Sequence, residues 1–248
     1  MRVRLWVLLL SVLCGFEAKS QNDAGLVWAS LYPGAGASNA VHNIATTGLV
    51  GNTRGPIQNL SGGIASNNTI TAAWIGLGTN VYPIQGVREL TLSIWAKQVG
   101  TPAIVPLHNN TFSTGITGTY QLGIITGTRM QGYVQTHGTT NYVGFDKSGL
   151  PNLVTSNWVH LAMTWVGART NVTLWINANN MTVTTTRVGV NVTNLNPNSN
   201  ENRIGAWANA AGTTLTSGKA LTMARIYNRA LSTNEIKELY IRERAMLP

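Results

Sequence analysis

The acid chemistry available to this chain is small. Glu17, Asp23, Glu89, Asp146, Glu201, Glu235, Glu238 and Glu243 are its only carboxylates in 248 residues. Glycoside hydrolysis needs two carboxylates a few ångströms apart, one on each side of the scissile bond. No E-x-D-x-x-E run sets alternate carboxylates on one strand face. Glu89, Asp146 and Glu201 each stand beside turn-forming residues and read as surface acids. Their convergence in space is the one carboxylate mechanism a polysaccharide hydrolase or lyase could use here. His42, His108, His137 and His160 are scattered, and His160 alternates with Trp158 in a strand pattern. That spacing suits a hydrogen-bonded histidine on a sheet face better than a metal ligand. The chain has no G-x-S-x-G, H-E-x-x-H or P-loop. "GAGASN" (34–39) lacks the third glycine and following helix of a dinucleotide loop.

Two binding chemistries remain. Calcium takes several oxygen ligands, and Asp146 in "GFDKSG" is the candidate metal residue, with loop carbonyls and Asn side chains completing a set. The plainer reading is an Asp in the turn before Lys147, Ser148 and Gly149. Saccharides are held by aromatic faces against C–H surfaces and by amides reading hydroxyls. The candidates are Trp207 with Asn209, Tyr142 with Asn141, His137, and Asn109 with Asn110. Core packing is an equal reading for Trp207, and Trp74, Trp95, Trp158, Trp165 and Trp175 fall within strand patterns.

The elements that must position these residues are strands. "LTLSIWAK" (90–97) puts Leu90, Leu92, Ile94 and Ala96 on one face, with Thr91, Ser93, Trp95 and Lys97 on the other. "NWVHLAMTWV" (157–166) sets Val159, Leu161, Met163 and Trp165 against Trp158, His160, Ala162 and Thr164. "NVTLWIN" (171–177) follows after the hairpin-length "GART". Further strands are expected at 69–75, 103–107, 120–126, 130–136, 141–145 and 181–186, with long loops and short strands over 30–65. Many short strands with apolar residues on both faces predict an antiparallel sandwich. At the C-terminus "ALTMARIY" predicts a last strand, with Leu221, Met223, Arg225 and Tyr227 opposite Thr222, Ala224 and Ile226. A short helix follows, opened by a Ser232–Glu235 capping box with Leu231 and Ile236 as a staple and Ile236, Leu239 and Tyr240 as its apolar stripe.

Composition narrows the class. Charged residues make up only 10% of the chain and apolar ones 44%, which favours strands and turns around a sizeable core. Arg2 and Arg4 precede the apolar run 5–16, and Ala18 and Ser20 mark a cut before Gln21, so residues 1–20 are expected to be a secretory signal. The run is too short for a transmembrane anchor. Residues 21–248 are expected to form one extracellular domain. Loss of the leader removes Cys14, the only cysteine, so packing rather than disulfides must hold the fold. Fourteen basic and seven acidic residues then remain, a net +7. The basic residues are dispersed, apart from 242–244, which disfavours a nucleic-acid stripe. Asn-x-Ser/Thr sequons begin at Asn59, Asn67, Asn109, Asn171, Asn180 and Asn191.

"LTLSIWAK", "NWVHLAMTWVG…NVTLWINAN", "NRIGAW" and "MARIYNRALSTNEIKELY" together resemble the laminin-G-like, concanavalin A-like lectin/glucanase jelly-roll family. The likeness runs firmly over 88–241 and loosely over 25–87. It implies an all-β antiparallel jelly-roll β-sandwich with a short C-terminal helix. Where relatives carry acids before "RIYN" this chain has Thr222 and Met223. It has Val166 where an Asp is expected and Ala178 in place of the Gly of "NG". The resemblance therefore carries no calcium ligation to those positions. The family hosts lectins, adhesion modules, glucanases and structural proteins. The expected function is a secreted, non-catalytic carbohydrate-binding or adhesion module, with a glycan or cell-surface or matrix polysaccharide as partner and calcium the one cofactor in question. The alternatives are a structural subunit of an extracellular assembly (surface layer, filament, matrix or virion) and a polysaccharide hydrolase or lyase, and a homo-oligomer is a further expected partner.

Overall fold

A computed structural model describes residues 24, 26–30, 40–41, 51–54, 57–60, 63–66, 74–76, 87–98, 107–109, 119–135, 142–153, 155–167, 171–181, 185–188, 203–205 and 219–247. The expected leader, residues 1–20, lies outside them. The strands are β1 (Leu26–Ser30), β2 (Ala40–Val41), β3 (Gly51–Arg54), β4 (Ile57–Leu60), β5 (Gly63–Ser66), β6 (Trp74–Gly76), β7 (Glu89–Gln98), β8 (Leu107–Asn109) and β9 (Thr119–Thr126). They continue with β10 (Arg129–Gln135), β11 (Tyr142–Lys147), β12 (Val159–Val166), β13 (Asn171–Ile176), β14 (Asn179–Met181), β15 (Thr185–Val188), β16 (Arg203–Ile204) and β17 (Lys219–Tyr227). One helix, α1 (Thr233–Arg244), follows.

The strands form two sheets, in an antiparallel jelly-roll β-sandwich. One has the order β14-β13-β12-β7-β17-β5-β4, with β1 also paired to β17. The other runs β15-β11-β10-β9-β8-β16-β6-β3-β2. Alternation explains how they pack. Leu90, Leu92 and Ile94 of β7 and Leu161, Met163 and Trp165 of β12 are fully buried in one cluster with Leu122, Ile124 and Met130 of the facing sheet. The contact is close at Gly132 on β10, where an added Cβ would lie 2.5 Å from Leu174 Cδ2 and 2.7 Å from Met163 Sδ. A larger residue there would have to displace the Leu174 and Met163 side chains of the facing sheet.

The last strand departs from simple alternation. Between Thr222 and Arg225 the register to β7 shifts, so that Met223 and Ala224 together oppose Ile94, and Met223 takes φ +50. This bulge turns Ala224 and Ile226 to the same interior cluster as Leu221. Thr222, Arg225 and Tyr227 are left in line with Trp95, Ser93 and Thr91 on the opposite face. The expected grouping of Leu221 with Arg225 and Tyr227 is thus corrected, because one extra residue inverts every later side chain. The segment read as one strand at 181–186 also divides, into β14 of the first sheet and β15 of the second.

Helix α1 covers the outer face of the first sheet. Ser232 caps it: its backbone N–H donates to Glu235 Oε2 at 2.8 Å and its Oγ accepts from the Glu235 N–H at 3.4 Å. Leu231, Ile236 and Leu239 pack with Tyr227, Ala162 and Trp175 in a second apolar cluster, and Tyr240 borders it. The capping box and the apolar stripe are those the sequence predicts. No helix among the described residues is long and apolar enough to cross a membrane.

Candidate functional site

Strand pairing decides which polar residues can meet. Residues directly opposite in an antiparallel pair share a face, so each pairing can be followed across the sheet. Arg187 of β15 is opposite Gly144 of β11, which faces Tyr133 of β10. Tyr133 is opposite Gln121 of β9, which faces His108 of β8, and His108 is opposite Arg203 of β16. A parallel row joins Thr185, Asp146, Gln131 and Gly123. A third joins Tyr142, Gln135 and Thr119. These rows lie on the outer face of the nine-stranded sheet, because the intervening positions Leu122, Ile124, Met130 and Val134 belong to the interior cluster.

The floor of this face is polar and enclosed. Gln121 is fully buried, and Gln131 and Tyr133 are nearly so. Gln121 Nε2 donates to Gln131 Oε1 at 3.3 Å. Gln121 Oε1 is buried without a hydrogen-bond partner. A buried, unpaired carbonyl oxygen is costly and has the chemistry to accept from a hydroxyl. Gly123 and Gly144 stand opposite Gln131 and Tyr133, so the amide and the ring each have a neighbour without a side chain. Sequence reasoning passed over these residues, although "YQLG" and "MQGYV" carry the signal, with Gln, Gly and Tyr alternating against apolar residues.

The expected site residues are divided by this arrangement. Tyr142 and Asp146 fall on the outer face of β11, in rows with Gln135 and Gln131. Asn109 instead is opposite the buried core residue Tyr120, which puts it at an inner-face position. Trp207, Asn209, Asn141 and His137 lie outside the described residues, as do Asn110 and Glu201. Asp146 is not in a turn. It sits within a strand, opposite Gln131 of β10 and Thr185 of β15. Among the described residues, no three His, Cys, Asp or Glu side chains gather to hold a metal.

Of the three carboxylates weighed for a hydrolase, Glu201 lies outside the described residues, and the other two stand apart. Glu89 is on the outer face of the first sheet, where its Oε2 accepts from the Ala230 N–H at 3.1 Å. Asp146 is on the outer face of the other sheet. Packed sheets are about 10 Å apart, and these residues stand on opposite outsides of the sandwich, beyond the roughly 5–9.5 Å at which carboxylates cooperate on a glycosidic bond.

A second polar cluster lies beneath α1. Glu243 is fully buried. It pairs with Arg225 Nε, and its Oε2 accepts from Trp95 Nε1 at 2.8 Å. Tyr240 stacks on Trp95 with centroids 5.4 Å apart. His160 is buried beside both rings, with Nε2 2.8 Å from Ser93 Oγ. Burial, followed by the nearby Arg225 charge, depresses its pKa to about 3. Burial raises that of Glu243, with Arg225 offsetting part of the rise. The bulge at Met223 aims Arg225 at this cluster. Its members bond mainly to one another and lie under the helix, which holds α1 in place, while His160 Nδ1 is buried without a hydrogen-bond partner. The sheet-face role expected of His160 is the one it has.

Comparison with known proteins agrees with this architecture. The profile of the concanavalin A-like lectin/glucanases superfamily, of laminin-G type, matches residues 66–237. The chain belongs to that superfamily. A search of curated proteins found no match. Among solved structures it is similar to a Trypanosoma rangeli sialidase in complex with sialic acid, at 13% identity and TM-score 0.62, over 90% of this chain and 33% of that one. It is similar to the binding domain of Paraclostridial Mosquitocidal Protein 1, at 15% and 0.64, over 89% and 52%. It is also similar to domain 4 of AbnA, an extracellular GH43 arabinanase from Geobacillus stearothermophilus, in complex with arabinotriose, at 13% and 0.59, over 88% and 98%. The chain thus spans about a third of the sialidase and nearly all of the arabinanase domain.

Proposed function

We propose that this domain is a secreted, non-catalytic carbohydrate-binding module whose saccharide contacts lie on the outer face of the nine-stranded sheet. The observation that carries the reading is the set of register rows on that face. They bring Tyr133, Gln121, Gln131, Tyr142 and Asp146 together, with glycines between them and an unpaired buried amide oxygen at their centre. Aromatic rings, amides and one carboxylate are the groups that recognise sugars. Superfamily membership and the likeness to an arabinotriose-bound domain of nearly the same length support it. The separation of Glu89 from Asp146 supports a binding rather than hydrolytic role.

The test is a glycan array followed by titration calorimetry, each with and without calcium, on the wild type, Tyr142→Ala, Asp146→Ala and the helix-surface control Lys237→Ala. Binding that falls at least tenfold in the two sheet variants and persists in the control agrees with the reading. Binding to no saccharide, or equal binding by all four proteins, overturns it.

A further inference from the structure

Register also sorts the six sequons, and the sorting points to a modification site. Asn67 and Asn191 lie outside the described residues. Asn109 is opposite buried Tyr120, at an inner-face position. Asn59 is opposite Ile64, which is itself opposite the fully buried Leu221, so Asn59 too holds an inner-face position. Asn171 is opposite Val166 at the close of the β12–β13 hairpin, on the outer face of the first sheet. Asn180 is the sequon residue whose exposure the described residues establish. It is exposed, it is the middle residue of β14, and it is opposite Trp175, whose side chain lies on the outer face. Among the described residues β14 ends its sheet and pairs with β13 alone.

We infer that Asn180, in the sequon Asn180-Met181-Thr182, is the acceptor of an N-linked glycan, and that Asn59 and Asn109 are not acceptors in the folded domain. The donor class is a lipid-linked oligosaccharide. The Asn180 amide nitrogen bonds to its anomeric carbon, the bond from that carbon to the lipid diphosphate breaks, and the diphosphate leaves with the electron pair as one amide proton is released. A large hydrophilic group here lies at an open sheet edge, the place where unpaired N–H and C=O groups invite a second chain. Asn59 and Asn109 occupy register positions on the face turned towards the other sheet, where close packing disfavours so large a group.

The experiment is translation of the full chain with eukaryotic microsomes, once with its own N-terminal segment and once behind a standard secretory leader. Protease protection reports entry, and glycopeptides are mapped after enzymatic deglycosylation in heavy-oxygen water. The expected result is heavy-oxygen Asp at position 180 and unmodified Asn59 and Asn109 in the protected protein. Asn180→Gln and Thr182→Ala should each lose one and the same glycan while remaining protected. Protected protein that is unmodified at Asn180, or that is modified at Asn59 or Asn109 in a folded, protease-resistant domain, overturns the inference.

Discussion

Replacement of His160 should change how stability depends on acid. In the fold this imidazole is fully buried, bonded to Ser93 and flanked by Trp95, Tyr240 and the Arg225 guanidinium, and its pKa is depressed from 6.5 to about 3. A depressed folded pKa means the unfolded chain takes up the proton first. The contribution is complete above pH 6.5 and is lost as the pH falls towards 3. At about 1.4 kcal/mol per unit, the loss is roughly 2 kcal/mol by pH 5 and approaches roughly 5 kcal/mol at pH 3. Two carboxylates act in the same range. Glu243, raised by burial, favours the folded state as pH falls towards the ordinary carboxylate value. Glu235, lowered to about 2 chiefly by its bond to Arg229, loses its contribution below pH 4.5, and its exposure keeps that contribution small. Urea unfolding of wild type and His160→Gln between pH 7.5 and 4.5 separates these terms, because glutamine can still reach Ser93 and does not titrate. The wild type should lose about 2 kcal/mol more than the variant between pH 7 and 5. Equal slopes, or a folded His160 ring proton that titrates near 6.5 by NMR, would refute the argument.

Three further perturbations follow from the same structure. Glu243→Ala removes the carboxylate that pairs with the buried Arg225 charge, and should cost about 3–5 kcal/mol in urea unfolding. Ala178→Gly should raise stability by about 1 kcal/mol, because Ala178 holds φ +60 in the β13–β14 turn, where a Cβ is strained. Ser232→Ala should cost about 1 kcal/mol through loss of the capping box, with saccharide affinity unchanged, as followed by thermal melts and calorimetry on one sample.

Much of this architecture was legible in the sequence. The alternation of 90–97 and 159–165 assigns each side chain to the face it occupies, because strand period and burial agree there. Ser232 and Glu235 announce the helix because a capping box is a local interaction. What escaped was set by long-range packing. Nothing near Met223 signals a bulge, yet that residue decides whether Arg225 faces the core or the helix. Nothing local marks Glu243 as buried, because its partners Trp95 and Arg225 arrive from strands 148 and 18 residues away. Asp146 beside Lys-Ser-Gly has the local look of a turn, but partners on both sides draw it into the sheet. At the candidate site Tyr142 and Asp146 were identifiable by type. Their association with Gln121, Gln131 and Tyr133 depends on register across three strands.

The central claim is that saccharide binds the outer face of the nine-stranded sheet. Chemical-shift mapping of the isotope-labelled domain, during titration with the saccharide that binds best on the array, tests it most directly. The account predicts saturable shifts concentrated at 119–135 and 142–147, with α1 unaffected. Shifts confined to α1 and the outer face of the eight-stranded sheet would contradict it.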